Sequence, residues 1–390
     1  MPRAALSIGV MRVAVVSESF LPTVNGVTTS VCRVLEQLAA QGHEAMVISP
    51  AAPKVPTEYA GFPVHAVPAM AYRQFPVGLP NPQVSRLLDG FRPDVLHAAS
   101  PFLLGAQAIA AAGRLGVASV AIYQTDVAGY ARRNRLGLAS GAVWRLIKWV
   151  HDGATITLAP SSSALADLES AGIERLGRWG RGVDLERYHP NNRLAPLARR
   201  YRDFLSPNGE VIVGYIGRIA PEKQVERLRA LRGIPGVRLA IVGDGPALPN
   251  VQKALRPLPV TYLGRLAGEE LAAAYAALDV FVHTGEEETF GQTVQEAHAS
   301  GLPVVAPAFG GPLDLVEFGV DGYLFRDDHE LRDQVRALAG DGALRLRMGE
   351  AGRRAVLDRS WASICGELFA HYERAIAEVR PTRRPARLSA

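Results

Sequence analysis

The sequence predicts an α/β protein built from two doubly wound parallel sheets. Three observations predict it. Short runs of β-branched and other apolar residues recur between glycine- and proline-rich turns. Each run is followed by a stretch with apolar residues at helical spacing. A polar, arginine-rich stretch between Pro190 and Pro207 separates two such series. A chain of 390 residues has room for two or three domains, each with its own core.

In the first series, residues 12–16 read as a buried strand, and Val27, Val31, Val34 or Leu35, and Leu38 recur at helical spacing in a helix closed by Gly42. Residues 45–48, 94–97, 119–123 and 154–159 read as further strands, with a helix-like run over 103–115. The proline-rich stretch 51–82 reads as irregular. The second series places strands at 211–217, 239–246, 260–266, 279–283 and 304–306. A crossover helix is expected over 289–300, ended by Gly301 and Pro303. The chain is helical in pattern from Asp327, with a closing helix over 361–379. The expected organisation is a first domain over 1–190, a second over 191–365, a closing helix over 366–380 and a polar, disordered tail over 381–390.

Composition narrows the class. Hydrophobic residues make up 48% and charged residues 21%, the balance of a soluble globular protein. A net charge of +5 suits anionic ligands or an anionic surface. Cys32 and Cys365 lie far apart, which indicates neither a disulfide framework nor a zinc site. No apolar run is long enough to span a bilayer, and the first ten residues are too short and too weakly charged for a signal peptide. The absence of G-x-G-x-x-G after a strand argues against a nicotinamide dehydrogenase, and no nucleic-acid motif accompanies the basic charge.

The chemistry-bearing stretch is Thr284 to Ala306, an acidic loop, a helix and a strand in which seven residues separate Glu288 from Glu296. Ligands of open α/β sheets bind outside the carboxyl ends of strands, where Glu288 lies, so the pair suits the two ends of one elongated ligand. On their own, two such carboxylates also fit a solvated loop and an ordinary helix-surface glutamate, and three consecutive glutamates leave open which one points inward. They are too far apart along one element for the close carboxylate pair of a retaining glycosidase. Arg218 and Lys223, in the turn after a strand, suit a diphosphate: a planar fork and a point charge. Asn25-Gly26 permits close backbone approach to a ligand after the first strand. Residues 130–150 mix Arg132, Arg133, Arg135, Arg145 and Lys148 with Trp144, Leu146, Ile147, Trp149 and Val150. This mixture fits a helix at an anionic membrane surface and equally a core-packed helix with a basic outer face.

The Glu, seven residues, Glu signature with Phe290-Gly291, the Arg218 and Lys223 pair, the Gly182-Val-Asp junction and the glycine loop after the first strand occur in order along the chain. In this combination the sequence resembles the retaining GT-B glycosyltransferases of the group 1 and family 4 type. It is most similar to the actinobacterial GDP-mannose-dependent α-mannosyltransferases. The resemblance implies two Rossmann-like domains facing each other across a cleft, an acceptor-binding first and a nucleotide-sugar-binding second. It implies catalytic roles for Asp126, Glu288, Arg218 and Lys223, and donor binding by Gly26, Gln124, Arg218, Lys223, Leu266, Glu288, Phe290, Gly291 and Glu296. In many relatives a histidine stands where this chain has Gln124, and Asp126 is the nearest ionisable alternative.

The implied reaction moves a hexose, most simply α-mannose from GDP-mannose, onto a hydroxyl of a lipid or glycolipid, without metal or further cofactor. The implied location is the cytoplasm, at the inner face of the cell membrane, with no nucleic-acid partner. Two alternatives stand beside it. One is a UDP-sugar-dependent glucosyl or sulfoquinovosyl transferase acting on a diacylglycerol-type lipid. The other is a sugar-nucleotide sensor at the membrane that has lost its chemistry.

Overall fold

Apolar runs flanked by turn residues have no polar face to give to solvent, so they become the inner strands of parallel sheets covered on both sides. The computed structural model describes residues 9–23, 25–72, 75–78, 81–124 and 140–379. The chain separates into two units. Unit 1 comprises residues 1–160, 164–180 and 364–390, and unit 2 comprises 161–163 and 181–363. Residues 181–190, which the sequence pattern assigns to the first domain, therefore belong to unit 2.

The strands of unit 1 are β1 (Arg12–Ser17), β2 (Glu44–Pro50), β3 (Glu58–Tyr59), β4 (Phe62–Val67), β5 (Ala69–Tyr72), β6 (Phe75–Gly78), β7 (Val95–Ala99), β8 (Ala118–Ile122), β9 (Ile156–Ala159) and β10 (Leu176–Arg178). Eight of them form one sheet in the order β10-β9-β8-β7-β1-β2-β4-β3, and β5 pairs with β6. Pairing is parallel except at β3 with β4 and in the β5–β6 hairpin. At the centre, Val13 to Val16 are at most 1% exposed. The proline-rich stretch 51–82 is thus not irregular. Pro63 is the second residue of β4, which alternates buried and exposed residues, and Pro76 is the second residue of the short strand β6.

The helices of this part are α1 (Gly26–Ala40), α2 (Pro82–Phe91), α3 (Leu103–Leu115), α4 (Ser140–Asp152) and α5 (Ser162–Ser170). α1 starts where the Asn25 side chain accepts the Thr28 amide at 2.9 Å, which satisfies one orphan donor of the first turn. α3 has no cap from its own N-cap residue. Instead the Glu18 carboxylate, from the loop after β1, accepts the amides of Phe102 and Gly105, each at 2.9 Å. Gly26 opens α1 at the carboxyl end of β1, and buried Gln124 lies just past β8. Asp126 and the arginines at 132, 133 and 135 lie outside the described residues, as do most of the first ten residues and the tail 381–390.

Unit 2 has strands β11 (Val211–Ile216), β12 (Val237–Val242), β13 (Val260–Gly264), β14 (Val280–Val282), β15 (Val304–Pro307) and β16 (Gly322–Phe325). They are ordered β13-β12-β11-β14-β15-β16 and all parallel. Its helices are α6 (Pro196–Leu205), α7 (Leu248–Leu255), α8 (Gly268–Ala277), α9 (Gln292–Ala299), α10 (Asp328–Gly340) and α11 (Gly342–Ala355). They bury two apolar clusters, one containing Phe281, Phe290 and Val294, the other Tyr215, Ile241 and Phe325. Asp279, just before β14, is 7% exposed. It accepts from Arg193 at 2.6 Å, from Arg202 at 3.0 Å and from the Ile212 amide at 2.9 Å. A buried carboxylate with this many donors ties α6 to the sheet without an uncompensated charge.

The last helix, α12 (Trp361–Val379), belongs to unit 1 from Ile364 onward. There the fully buried Tyr372 hydroxyl lies 2.6 Å from His97 Nδ1 on β7, and Trp179 Nε1 donates to the Ile364 carbonyl at 2.8 Å. Burial pushes the His97 imidazole down to about 3, so it is neutral at ordinary pH.

Two helical glycines separate propensity from packing. A Cβ on exposed Gly113 of α3 meets nothing, whereas one on Gly349 of α11 would overlap the Gly301 carbonyl. Gly113→Ala is expected to stabilise by about 0.5–1 kcal/mol. Gly349→Ala, the same change in another helix, is expected to destabilise by about 1–3 kcal/mol. Urea denaturation of the two variants measures both signs.

Candidate active site

Three segments at the carboxyl ends of the unit 2 strands are drawn together by backbone contacts that only glycine permits. The turn after β11 carries Arg218 to Lys223, the loop after β14 carries Thr284 to Gly291, and the loop after β15 carries Ala308 to Gly311. Thr284 Oγ1 donates to the Lys223 carbonyl at 2.6 Å, and a Cβ at Gly285 would lie 2.9 Å from the Glu222 carbonyl oxygen. The Gly311 amide donates to the Glu288 carbonyl at 2.7 Å, and a Cβ there would overlap the Phe290 carbonyl. The acidic loop is thereby held on both sides.

This packing assigns the three consecutive glutamates. Glu286 turns to Arg227, whose Nη1 lies 2.7 Å away and whose Nε binds Asp328 at 2.7 Å. Glu287 is half-buried. Glu288 accepts from Lys223 Nζ at 2.6 Å, with both side chains about four-fifths enclosed. His283 Nε2 stands 3.8 Å from the same carboxylate oxygen. Burial alone would raise the Glu288 carboxyl, but Lys223, His283 and Arg181 together hold it down at about 2. Burial pushes His283 down to about 4, so at neutral pH it is an uncharged neighbour. Arg218 is paired with Glu222, its side chain 63% exposed. A pair that open to solvent is weak and easily exchanged for another anion.

Glu296 behaves differently. It is half-buried in the middle of α9, accepts from the buried Tyr275 hydroxyl at 2.9 Å, and burial raises its carboxyl to about 7. One helix thus follows a carboxylate held ionised and carries another held close to its protonation midpoint.

The helix itself begins later than the sequence pattern suggests, at Gln292 rather than 289. Gly291, at φ 102, is its N-cap, because the contacts with Gly310 and Gly311 keep the preceding residues out of helical geometry. Glu288 therefore lies in the loop and not in the first helical turn. Phe290 is 3% exposed with its ring in the core, which leaves only its backbone for a ligand. Leu266 is partly buried against the same core, beside exposed Arg265.

Unit 2 thus brings Arg218, Lys223, Glu288, Gly291 and Glu296 onto neighbouring loops and one helix. Gly26 and Gln124 sit at carboxyl ends of strands in unit 1, and Asp126 is outside the described residues. Three residues with polar roles in the site carry no motif signal of their own: Glu222 and His283, and Arg181, which is 9% exposed. Among the described residues no cluster of histidine, cysteine and carboxylate side chains is arranged to hold a metal ion.

Two parallel-sheet units with this arrangement of cations and glutamates define a nucleotide-sugar-dependent GT-B glycosyltransferase. Residues 24–187 match the model of Glycosyltransferase Family 4, and residues 200–355 match that of Glycosyl transferases group 1. The chain belongs to this glycosyltransferase family. It is 48% identical over 370 residues to the GDP-mannose-dependent alpha-mannosyltransferase of Mycolicibacterium smegmatis, covering 93% of this chain and 97% of that protein. To the protein so named in Mycobacterium tuberculosis it is 47% identical, covering 93% of this chain and 96% of that one. The sulfoquinovosyl transferase SQD2 of Arabidopsis thaliana is 34% identical over 84% of this chain and 66% of its own length. Among solved structures, sucrose-phosphate synthase of Thermosynechococcus elongatus matches with a TM-score of 0.77 at 20% identity, over 94% of this chain and 100% of that one. HepE of Anabaena in complex with UDP and glucose matches with a TM-score of 0.74 at 20% identity, over 93% and 99%.

The Glu296 environment fixes the sign of a pH effect. A carboxyl raised by burial contributes its full stability below its ordinary value of 4.5 and loses it as pH rises through about 7. Glu296→Gln keeps an acceptor for Tyr275 and cannot ionise. Its stability advantage over the wild type is expected to grow by about 2 kcal/mol between pH 5.5 and pH 8.5, measured by urea denaturation without nucleotide.

Proposed function

We propose that the chain transfers an α-mannosyl residue from GDP-mannose to a hydroxyl of a lipid or glycolipid acceptor, with retention of configuration. The observation that carries this reading is the convergence of Arg218 and Lys223 with Glu288 beside the start of α9. Support for the donor comes from relatives of 44–48% identity that are named GDP-mannose-dependent alpha-mannosyltransferases.

In this reading Arg218 and Lys223 hold the diphosphate and offset the charge that develops on it as the bond to the sugar breaks. Arg218 exchanges Glu222 for phosphate oxygens at little cost. Lys223 must be drawn from a more enclosed pair. The ribose hydroxyls donate to Glu296 and the sugar hydroxyls to Glu288. The Gly310 amide is offered to the same ligand, while the Gly311 amide is already given to the Glu288 carbonyl. Gln124, just past β8, stands in place of the histidine of many relatives as a neutral hydrogen-bonding group, with Asp126 nearby in sequence. The acceptor oxygen forms its bond to the anomeric carbon on the face from which the diphosphate leaves, and its proton passes to the departing phosphate oxygen. Charge compensation by two side-chain cations makes a metal ion unnecessary, so EDTA is expected to leave transfer unchanged.

A lipid acceptor is supported by the outer face of α4. Ile147 and Val150 are buried there, while Trp149 is 64% and Leu146 38% exposed next to exposed Arg145. Lys148 is occupied by Asp152 at 2.9 Å, which leaves Arg145 as the cation of this stripe among the described residues. Among the described residues no helix is long and apolar enough to cross a membrane.

Calorimetric titration tests the donor. GDP and GDP-mannose are expected to bind and UDP and UDP-glucose to bind at least tenfold more weakly; the reverse order would transfer the reading to a UDP-sugar. Arg218→Ala is expected to lower transfer by about 10²–10³-fold while leaving the melting temperature within a few degrees. Transfer at the wild-type rate in this variant would remove Arg218 from the diphosphate site.

A further inference from the structure

Two cations reach the acidic loop from one short segment. Lys223 ends the turn after β11, and Arg227 follows it in the 3₁₀ helix Val225–Leu231. Lys223 Nζ lies 2.6 Å from Glu288 Oε2, and Arg227 Nη1 lies 2.7 Å from Glu286 Oε1. Two ion pairs therefore connect the same two stretches, 223–227 and 286–288.

The two cations are not equally free to change partner. Arg227 Nε also binds Asp328 Oδ1 at 2.7 Å, at the start of α10, and its guanidinium lies 4.8 Å from the centre of the buried Phe325 ring at the end of β16. Two carboxylates and an aromatic ring hold a planar group that is only 13% exposed. Lys223 is a point charge on a flexible stem, and its pair with Glu288 breaks when the ammonium turns to another anion. In the reading above, the diphosphate draws Lys223 away at the step at which Glu288 accepts sugar hydroxyls. One of the two bridges is then open. The bridge from Arg227 to Glu286 stays closed, two residues before Glu288 in the same loop. Backbone bonds hold this loop at Thr284 and at the Glu288 carbonyl, and between those points the guanidinium grips it through Glu286.

We infer that Arg227 is a positioning residue for transfer: held by Asp328 and Phe325, it fixes the acidic loop through Glu286 so that Glu288 keeps its place at the sugar while Lys223 engages the diphosphate. This rests on the assignment of Lys223 to the diphosphate and Glu288 to the sugar. It gives the arginine a part in reading the sugar without touching it.

The test is the ratio of GDP-mannose to GDP affinity in the full chain, measured by calorimetry, since this ratio isolates the sugar contacts from those of the nucleotide. Arg227→Met keeps an apolar stem over Phe325 and loses the charge. It should lower the ratio about tenfold, the worth of one charged hydrogen bond, and leave GDP affinity within about threefold. Glu286→Ala should do the same, and the double variant should lose no more than either alone, because both changes break one link. Asp328→Asn cuts the tie to α10 and spares the one to Glu286, so it should leave the ratio within about twofold. Arg227→Lys keeps a cation beside Glu286 and should recover most of the loss. An unchanged ratio in Arg227→Met or Glu286→Ala overturns the inference, as do losses that add in the double variant. An equal loss in Asp328→Asn, or none recovered by Arg227→Lys, would make the arginine a support of the fold alone. A tenfold fall in GDP affinity would make it a phosphate ligand; each of these outcomes overturns the inference too. Should Arg227→Met fail to fold, Glu286→Ala decides, since it leaves the arginine paired with Asp328. Glu288→Gln separates this from the reading beneath it. If that variant keeps the wild-type ratio, the sugar assignment falls and the inference with it. If it lowers the ratio while Arg227→Met and Glu286→Ala keep it, the inference alone falls.

Discussion

The ion pair between Lys223 and Glu288 is the interaction on which the unit 2 site depends. Two opposite charges, each about four-fifths enclosed, are costly to take out of water and costly to separate once there. Their contact fixes the relative position of the turn after β11 and the loop after β14, and it keeps Glu288 ionised. Glu288 stays ionised because the cations outweigh burial, whereas Glu296, with a tyrosine hydroxyl as its partner, drifts up toward neutrality. Any anion that takes the ammonium must first displace a carboxylate from it.

Glycine is the other half of the construction. At Gly285 and Gly311 the neighbouring loop approaches within a distance that no Cβ allows. The cations and the glutamates therefore meet through backbones that interlock, and their side chains inherit positions that loops of ordinary composition would leave to chance. This rigidity is the condition under which fixed charges stabilise a developing charge better than water does.

Much of this was legible in the sequence. Continuous apolar runs identified the inner strands of both sheets but not β10 and β16, and helical spacing identified α1 and α12, because burial on both faces or on one stripe is written directly into residue order. The motif spacing marked Glu288, Glu296, Arg218 and Lys223 as a group. What escaped had a different physical origin. The start of α9 was displaced by a tertiary contact between Gly311 and Phe290 that local periodicity cannot see. The strands inside the proline-rich stretch escaped because Pro63 and Pro76 each stand second in a short strand, where a proline reads as a break. Which of three adjacent glutamates faces Lys223 depended on Arg227, sixty residues away in the chain. Arg181 was hidden because a buried charge announces itself only through its partner.

α12 has a consequence for the life history of the molecule. Unit 1 is discontinuous: its sheet is encoded early, but the residues that supply Tyr372 to His97 and the Ile364 carbonyl to Trp179 come after all of unit 2. During synthesis the first sheet must therefore wait on the order of ten seconds for its final helix. Over that interval the buried histidine and indole of unit 1 lack the partners that satisfy them, while unit 2, apart from residues 161–163, is one continuous stretch and has no such delay. The half of the chain translated first is the half that is finished last, so the newborn protein is most exposed to holdase chaperones and proteases on its unit 1 surface.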